Sequence, residues 1–149
     1  MIEQVIVAFV ASLGFAIIFN IRGIKLIFAA IGGGLSWFCY LYLTNSGISV
    51  ILSLFISSII FSIYSEICAR YLKTPVTTIV ICALIPLVPG AGMYNTMYET
   101  ILGNIKGAVE LGLNTLASAG TLALGVIFVS TITKQVTNIK KMKEKLFEK

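Results

Sequence analysis

The chain has 149 residues, 58% of them hydrophobic and only 11% charged, with a mean hydropathy of +0.99 and a formal net charge of +5. Soluble domains run near a quarter charged, so a water-soluble globule is excluded for want of polar surface, and a single domain of this length belongs in lipid. His and Asp are absent, and the acids are Glu3, Glu66, Glu99, Glu110, Glu144 and Glu148, which removes imidazole zinc sites, aspartyl proteolysis and His-based acid–base catalysis.

Crossing ~30 Å of hydrocarbon takes roughly 17–25 apolar residues, and five segments qualify. The first is 2–21; its start, Met1 to Val10, carries no positive n-region and no small-residue cleavage site, so a retained helix is expected there and not a signal peptide. The basic turn Arg22-Gly23-Ile24-Lys25 leads into the second segment, residues 26–44, which ends at the turn signal Asn45-Ser46-Gly47. Residues 48–65 form the third, closed by Glu66, Arg70, Lys73 and Pro75. The fourth starts at Val76 and meets a broken stretch at 86–92, and the fifth covers 111–133. None alternates apolar and polar residues as a barrel strand does. The expectation is an all-α membrane protein, a bundle of about five transmembrane helices over 1–133, with a basic tail at 134–149.

Within those helices several residues read as packing. Cys39, Cys68 and Cys82 show no CxxC spacing and read as small buried hydrophobes. Gly32, Gly33 and Gly34, with Ala29 and Ala30, offer small-xxx-small contacts, and Gly103, Gly107, Gly120 and Gly125 follow the same logic. Trp37, Phe38, Tyr40 and Tyr42 read as an interfacial belt. Asn20, a polar residue at the inner end of the first helix, reads first as an interhelical hydrogen bonder. In the tail, Val136, Ile139, Met142 and Leu146 share one helical face. That face suits an interfacial helix on anionic lipid, and a solvated end that merely fixes topology suits it equally.

Charge sets the expected orientation. With the N-terminus outside, ten of the eleven basic residues (all but Lys106) fall on one side, which the positive-inside bias makes cytoplasmic.

The richest stretch is Ile85-Pro86-Leu87-Val88-Pro89-Gly90-Ala91-Gly92. Two prolines three apart remove two backbone donors and clash with preceding carbonyls, so the fourth helix breaks here, at a Pro-x-x-Pro-Gly motif. Broken backbone at membrane depth belongs where protein or a wet cavity surrounds it, and a half-helix N-terminus favours a carboxylate. The candidate substrate path is therefore Pro86, Pro89, Gly90 and Gly92, followed by Tyr94, Asn95 and Glu99 on the second half-helix. A plain packing kink is the bland alternative. Glu66 and Arg70 stand four apart in the favourable order for a local ion pair. The sharper reading makes Glu66 a coupling carboxylate and Arg70 a secondary contact for a carboxylate from inside. Glu110 and Lys106 read as solvated loop residues.

The segment Ile85-Pro86-Leu87-Val88-Pro89-Gly90, with Tyr94 and Met97, resembles the signature of the threonine/serine exporter (ThrE) family in its small-subunit, YjjB-like form. Gly14-Phe15-Ala16 with Phe19-Asn20 is similar to the opening of those proteins, as is Arg70 followed by Pro75. The resemblance implies half of a transporter whose partner is a larger membrane subunit. It also implies export of threonine and serine, or of succinate in the split form, driven by the proton gradient. The expected function is the small subunit of a two-component secondary exporter of a small carboxylate metabolite in the cell membrane. No cofactor, metal or nucleic-acid partner is expected, while the small residues leave room for an oligomer. The rival readings are a non-transporting assembly or scaffold subunit, a channel and, weakest for lack of any catalytic constellation, an enzyme.

Overall fold

The computed structural model describes the backbone of residues 1–147 and the side chains of residues 1–137. The chain folds into helices α1 (Ile2–Ile18), α2 (Ile24–Asn45), α3 (Val50–Tyr71), α4 (Val76–Leu84), α5 (Gly90–Ile101) and α6 (Ile105–Phe147), with a 3-10 turn at Ile85–Leu87 between α4 and α5. The stretches 24–45, 50–71 and 105–137 are long and apolar enough to cross a membrane. The pair α4–α5, bent by 52°, makes a fourth if it counts as one span. At 17 residues α1 is apolar but short, at ~25 Å against ~30 Å of hydrocarbon.

Four helices end in the same way. After α1, α2, α3 and α5 one residue turns left-handed: Asn20 (φ 58°), Gly47 (φ 84°), Lys73 (φ 47°) and Gly103 (φ 75°). The next N–H then reaches back to a carbonyl of the last turn, as in Ile21 to Ala16 (3.0 Å), Ile48 to Leu43 (3.2 Å), Thr74 to Ala69 (3.0 Å) and Asn104 to Glu99 (3.0 Å). This is the Schellman closure, which occupies carbonyls the helix leaves orphaned. It explains why α1 stops at Ile18 and not at the expected residue 21: Asn20 is a left-handed terminator, so it lies in a turn and not inside a helix.

The helices meet through small residues. The buried face of α1 is Ala8, Ser12 and Ala16, and that of α2 includes Ala29, Ala30, Gly32, Gly33, Gly34 and Ser36. A Cβ on Gly33 would fall on the Ser12 hydroxyl, and one on Gly32 would stand 3.1 Å from the Ala83 Cβ. On α3 the buried face is serine-rich: Ser53, Ser57, Ser58, Ser62 and Ser65, with Gly125 of α6 pressed against Ser58. Apolar side chains gain little over lipid by meeting each other, so close backbone approach and dispersion hold such a bundle together. Phe61, Leu54, Ala83, Leu87 and Leu122 fill what space remains.

Two contacts fix the register of α3 and α6: Gly125 beside Ser58, and Thr137 beside Arg70. Both pairs are offset by 67 residues, so these helices run parallel. We call the end with the α1 N-terminus and the α2–α3 turn the upper end, and the end with the α1–α2 and α3–α4 turns the lower end. At 43 residues α6 is ~64 Å long, about twice the hydrocarbon thickness. By the same register its residues 105–116 run ~18 Å beyond the start of α3. There α6 packs with α5, which buries no residue. Lys106, Gly107 and Glu110, expected in a loop, thus belong to α6, and only residues 102–104 separate it from α5. The face shared by Ile139, Met142 and Leu146 lies outside the described side chains.

Candidate functional site

The break between α4 and α5 is a defined piece of backbone. Val88 N–H donates to Ile85 O (3.2 Å) and closes the 3-10 turn, and Gly90 N–H donates to Val88 O (2.7 Å) across Pro89. With φ −75° and ψ 58°, Pro89 is the centre of an inverse γ-turn. Met93 N–H returning to Pro89 O (3.1 Å) starts α5. Just before the break, the buried Ser36 hydroxyl lies 2.8 Å from both Ala83 O and Gly33 O, so its one proton ties α2 to α4 or to itself.

Pro86 lines a cleft of about 480 Å3 with Glu3 and Gln4 from the first turns of α1 and Trp37 from α2. The break therefore sits near the upper end of the packed helices and not at their middle. It follows from length: α4 has nine residues and the 3-10 turn three, so the chain has already climbed ~20 Å, about two thirds of the hydrocarbon thickness, by the end of that turn.

The candidate path residues do not converge. Pro89 opens a separate apolar groove against Ala119, Leu122 and Ala123 of α6. Gly92 is a packing position, where an added Cβ would stand 2.5 Å from Thr115 Oγ1. Tyr94 and Asn95 are exposed, and Tyr94 stacks on Tyr98 with ring centroids 6.3 Å apart. Glu99 accepts from Asn104 Nδ2 (2.7 Å), and Asn104 Oδ1 accepts Gly107 N–H (3.2 Å) as the N-cap of α6. Glu99 thus builds a helix corner, ~14 Å beyond the break.

At the lower end, Arg70 Nε stands 4.0 Å from Glu66 Oε2, and an Arg70 Nη donates to Thr137 Oγ1 (2.8 Å), joining α3 to α6. Arg22 Nε donates to Asn20 Oδ1 (2.9 Å) within the α1–α2 turn, so Asn20 holds a cation and does not bond across helices.

Three features went unread in the sequence. Glu3 and Gln4 reach the break from more than eighty residues away, a proximity no local pattern carries. The α3 serines could have been found, since 53, 57, 58, 62 and 65 follow helical spacing. Ser57 and Ser62, with Ser12 of α1, have buried hydroxyls without a hydrogen-bond partner. Arg22 and Lys25 share a cleft with Thr74 and Thr78 of the α3–α4 region.

Among the described residues the chain is an all-helical bundle with three helices long and apolar enough to cross a membrane and one bent pair, the make-up of a multi-pass membrane protein. Residues 4–132 match the model of the family described as threonine/serine exporter, ThrE, and the chain belongs to that family. No curated protein and no solved structure matches the chain.

Proposed function

We propose that this chain is the smaller half of a two-component secondary exporter that moves a small carboxylate metabolite, threonine, serine or succinate in kind, outward at the expense of the proton gradient. The observation that carries the reading is the cleft at Pro86, where a broken span meets Glu3, Gln4 and Trp37 in a chain of the threonine/serine exporter family. A break of this kind exposes backbone polar groups to solute. In the proposed orientation the chain crosses five times with the upper end outside. Among the described residues Arg22, Lys25, Arg70, Lys73 and Lys134 stand at the lower end, and only Lys106 at the upper, as the positive-inside bias favours. The larger partner is supported by α5, which buries nothing and turns Met93, Met97 and Ile101 outward.

The test is efflux of threonine, serine and succinate from loaded cells expressing this chain with and without a candidate larger subunit. Loss of one solute only when both chains are present is the expected result. No loss of any of the three, with both chains verified in the membrane, overturns the substrate assignment. A scaffold subunit would keep its partner's flux when the break is straightened, so Pro89→Leu with Gly90→Ala separates it from a transporter half.

A further inference from the structure

At the lower end, two turns distant in sequence enclose a cleft of about 550 Å3 lined by Asn20, Arg22, Lys25, Thr74 and Thr78. Its geometry is fixed from several sides. Ile21 is buried in one cluster with Ala16, Ala29 and Cys82, which pins the α1–α2 turn to α4. Asn20 occupies the left-handed region and accepts from Arg22 Nε, leaving the two terminal nitrogens of the guanidinium clear of that bond. Gly23, at φ 69° and ψ −149°, adopts a backbone that a side chain would forbid. That bend lets Arg22 and the half-buried Lys25 line the same space. On the opposite wall α4 begins at Val76 behind Pro75 with no side-chain cap, so its first N–H groups add partial positive charge beside the two threonine hydroxyls.

Among the described residues no carboxylate lines the cleft. Glu66, the one described acid at this end, faces Arg70 in a different groove between α3 and α6. Two cations lining one cleft, Arg22 exposed and Lys25 half-buried, repel each other, and a bound oxyanion turns that repulsion into charge-assisted hydrogen bonds. We propose that this cup is a receptor for one oxyanion, the carboxylate of a small solute or the phosphate of a lipid headgroup. The oxyanion chemistry stands apart from the export reading, and only the solute source rests on it.

The test uses the full chain in nanodiscs of pure phosphatidylcholine, titrated with succinate by calorimetry at low salt. In parallel, phosphatidylglycerol retained through purification is counted by native mass spectrometry. Saturable succinate binding that Arg22→Gln and Lys25→Gln each weaken about tenfold assigns the cup to a solute carboxylate. Retained phosphatidylglycerol that falls in the same variants, without succinate binding, assigns it to a headgroup phosphate. Asn20→Gly keeps the left-handed turn while freeing the guanidinium, so it is expected to weaken the same anion about threefold in a folded protein. Lys134→Gln, an exposed cation on α6 outside the cup, leaves binding unchanged. If neither anion responds to Arg22→Gln and Lys25→Gln, the proposal is overturned, whatever the efflux experiment gives.

Discussion

The two ends of the bundle solve the same problem with different residues. At the upper end the closures after α2 and α5 use Gly47 and Gly103, the described charges are mostly acidic (Glu3, Glu99 and Glu110 against Lys106), and the backbone breaks at Pro86. At the lower end the closures after α1 and α3 use Asn20 and Lys73, side chains that tolerate the left-handed region less well than glycine. There the backbone irregularities are confined to the turns, no helix is broken, and the charge is basic. A left-handed asparagine or lysine in place of glycine means that the side chain contributes something the backbone does not require. At Asn20 that contribution is visible as the bond to Arg22. One end is thus built around an irregular backbone, the other around placed charges.

The sharpest way to break this comparison is topological. In a background with the three cysteines replaced, Gln4→Cys should react fully with an impermeant maleimide in intact cells, and Lys25→Cys only after permeabilisation. The reverse pattern would invert the two ends. Straightening the break comes next: Pro89→Leu with Gly90→Ala removes the γ-turn and should abolish efflux while the protein still purifies as a folded helical species. Retained efflux would strip the break of its role. Glu3→Gln probes the same cleft more gently and should lower efflux about tenfold, what one lost charge-assisted hydrogen bond accounts for; unchanged flux would remove Glu3 from the path.

How much of this could be read beforehand follows from the range of the signal. The apolar stretches and the proline–glycine turn are local, and the candidate spans 24–45, 50–71 and 105–137 and the bent pair α4–α5 overlap segments that periodicity and turn chemistry put there. Gly33 against Ser12 is local on each helix, so small residues announced close packing although not their partners. Depth was not legible, because the position of Pro86 depends on where α4 begins relative to α1. Nor was the fate of Glu99: its carboxylate is used by Asn104 in the α5–α6 corner, which shortened the expected loop and carried α6 back to Ile105. Asn20 was legible as a polar residue near a helix end. Its role as a terminator required noticing that asparagine is the usual substitute for glycine at that closure.

The capping contrast has an energetic test. An added Cβ at Gly47 meets nothing within 4 Å, so Gly47→Ala isolates the backbone penalty and should destabilise by about 1 kcal/mol in detergent unfolding. Lys73→Gly, at φ 47°, should do the opposite and stabilise by less than about 1 kcal/mol, since glycine also widens the unfolded ensemble. Equal destabilisation by both would show that the lower closure is not the strained one.

The smallest effect is expected at Glu66. Its partner Arg70 is 4.0 Å away with a side chain 57% exposed, so solvent screens most of the attraction. Arg70 also keeps its bond to Thr137 when the acid is neutralised. Glu66→Gln should therefore change stability by less than about 0.5 kcal/mol and leave both the rate of efflux and its response to an uncoupler as they were. A carboxylate that couples proton movement cannot be made permanently neutral without losing that response. If the uncoupler no longer changes efflux in Glu66→Gln while the protein remains folded, Glu66 is the coupling group. The lower end would then hold a working acid as well as placed cations, and the division between an irregular end and a charged end would have to be redrawn.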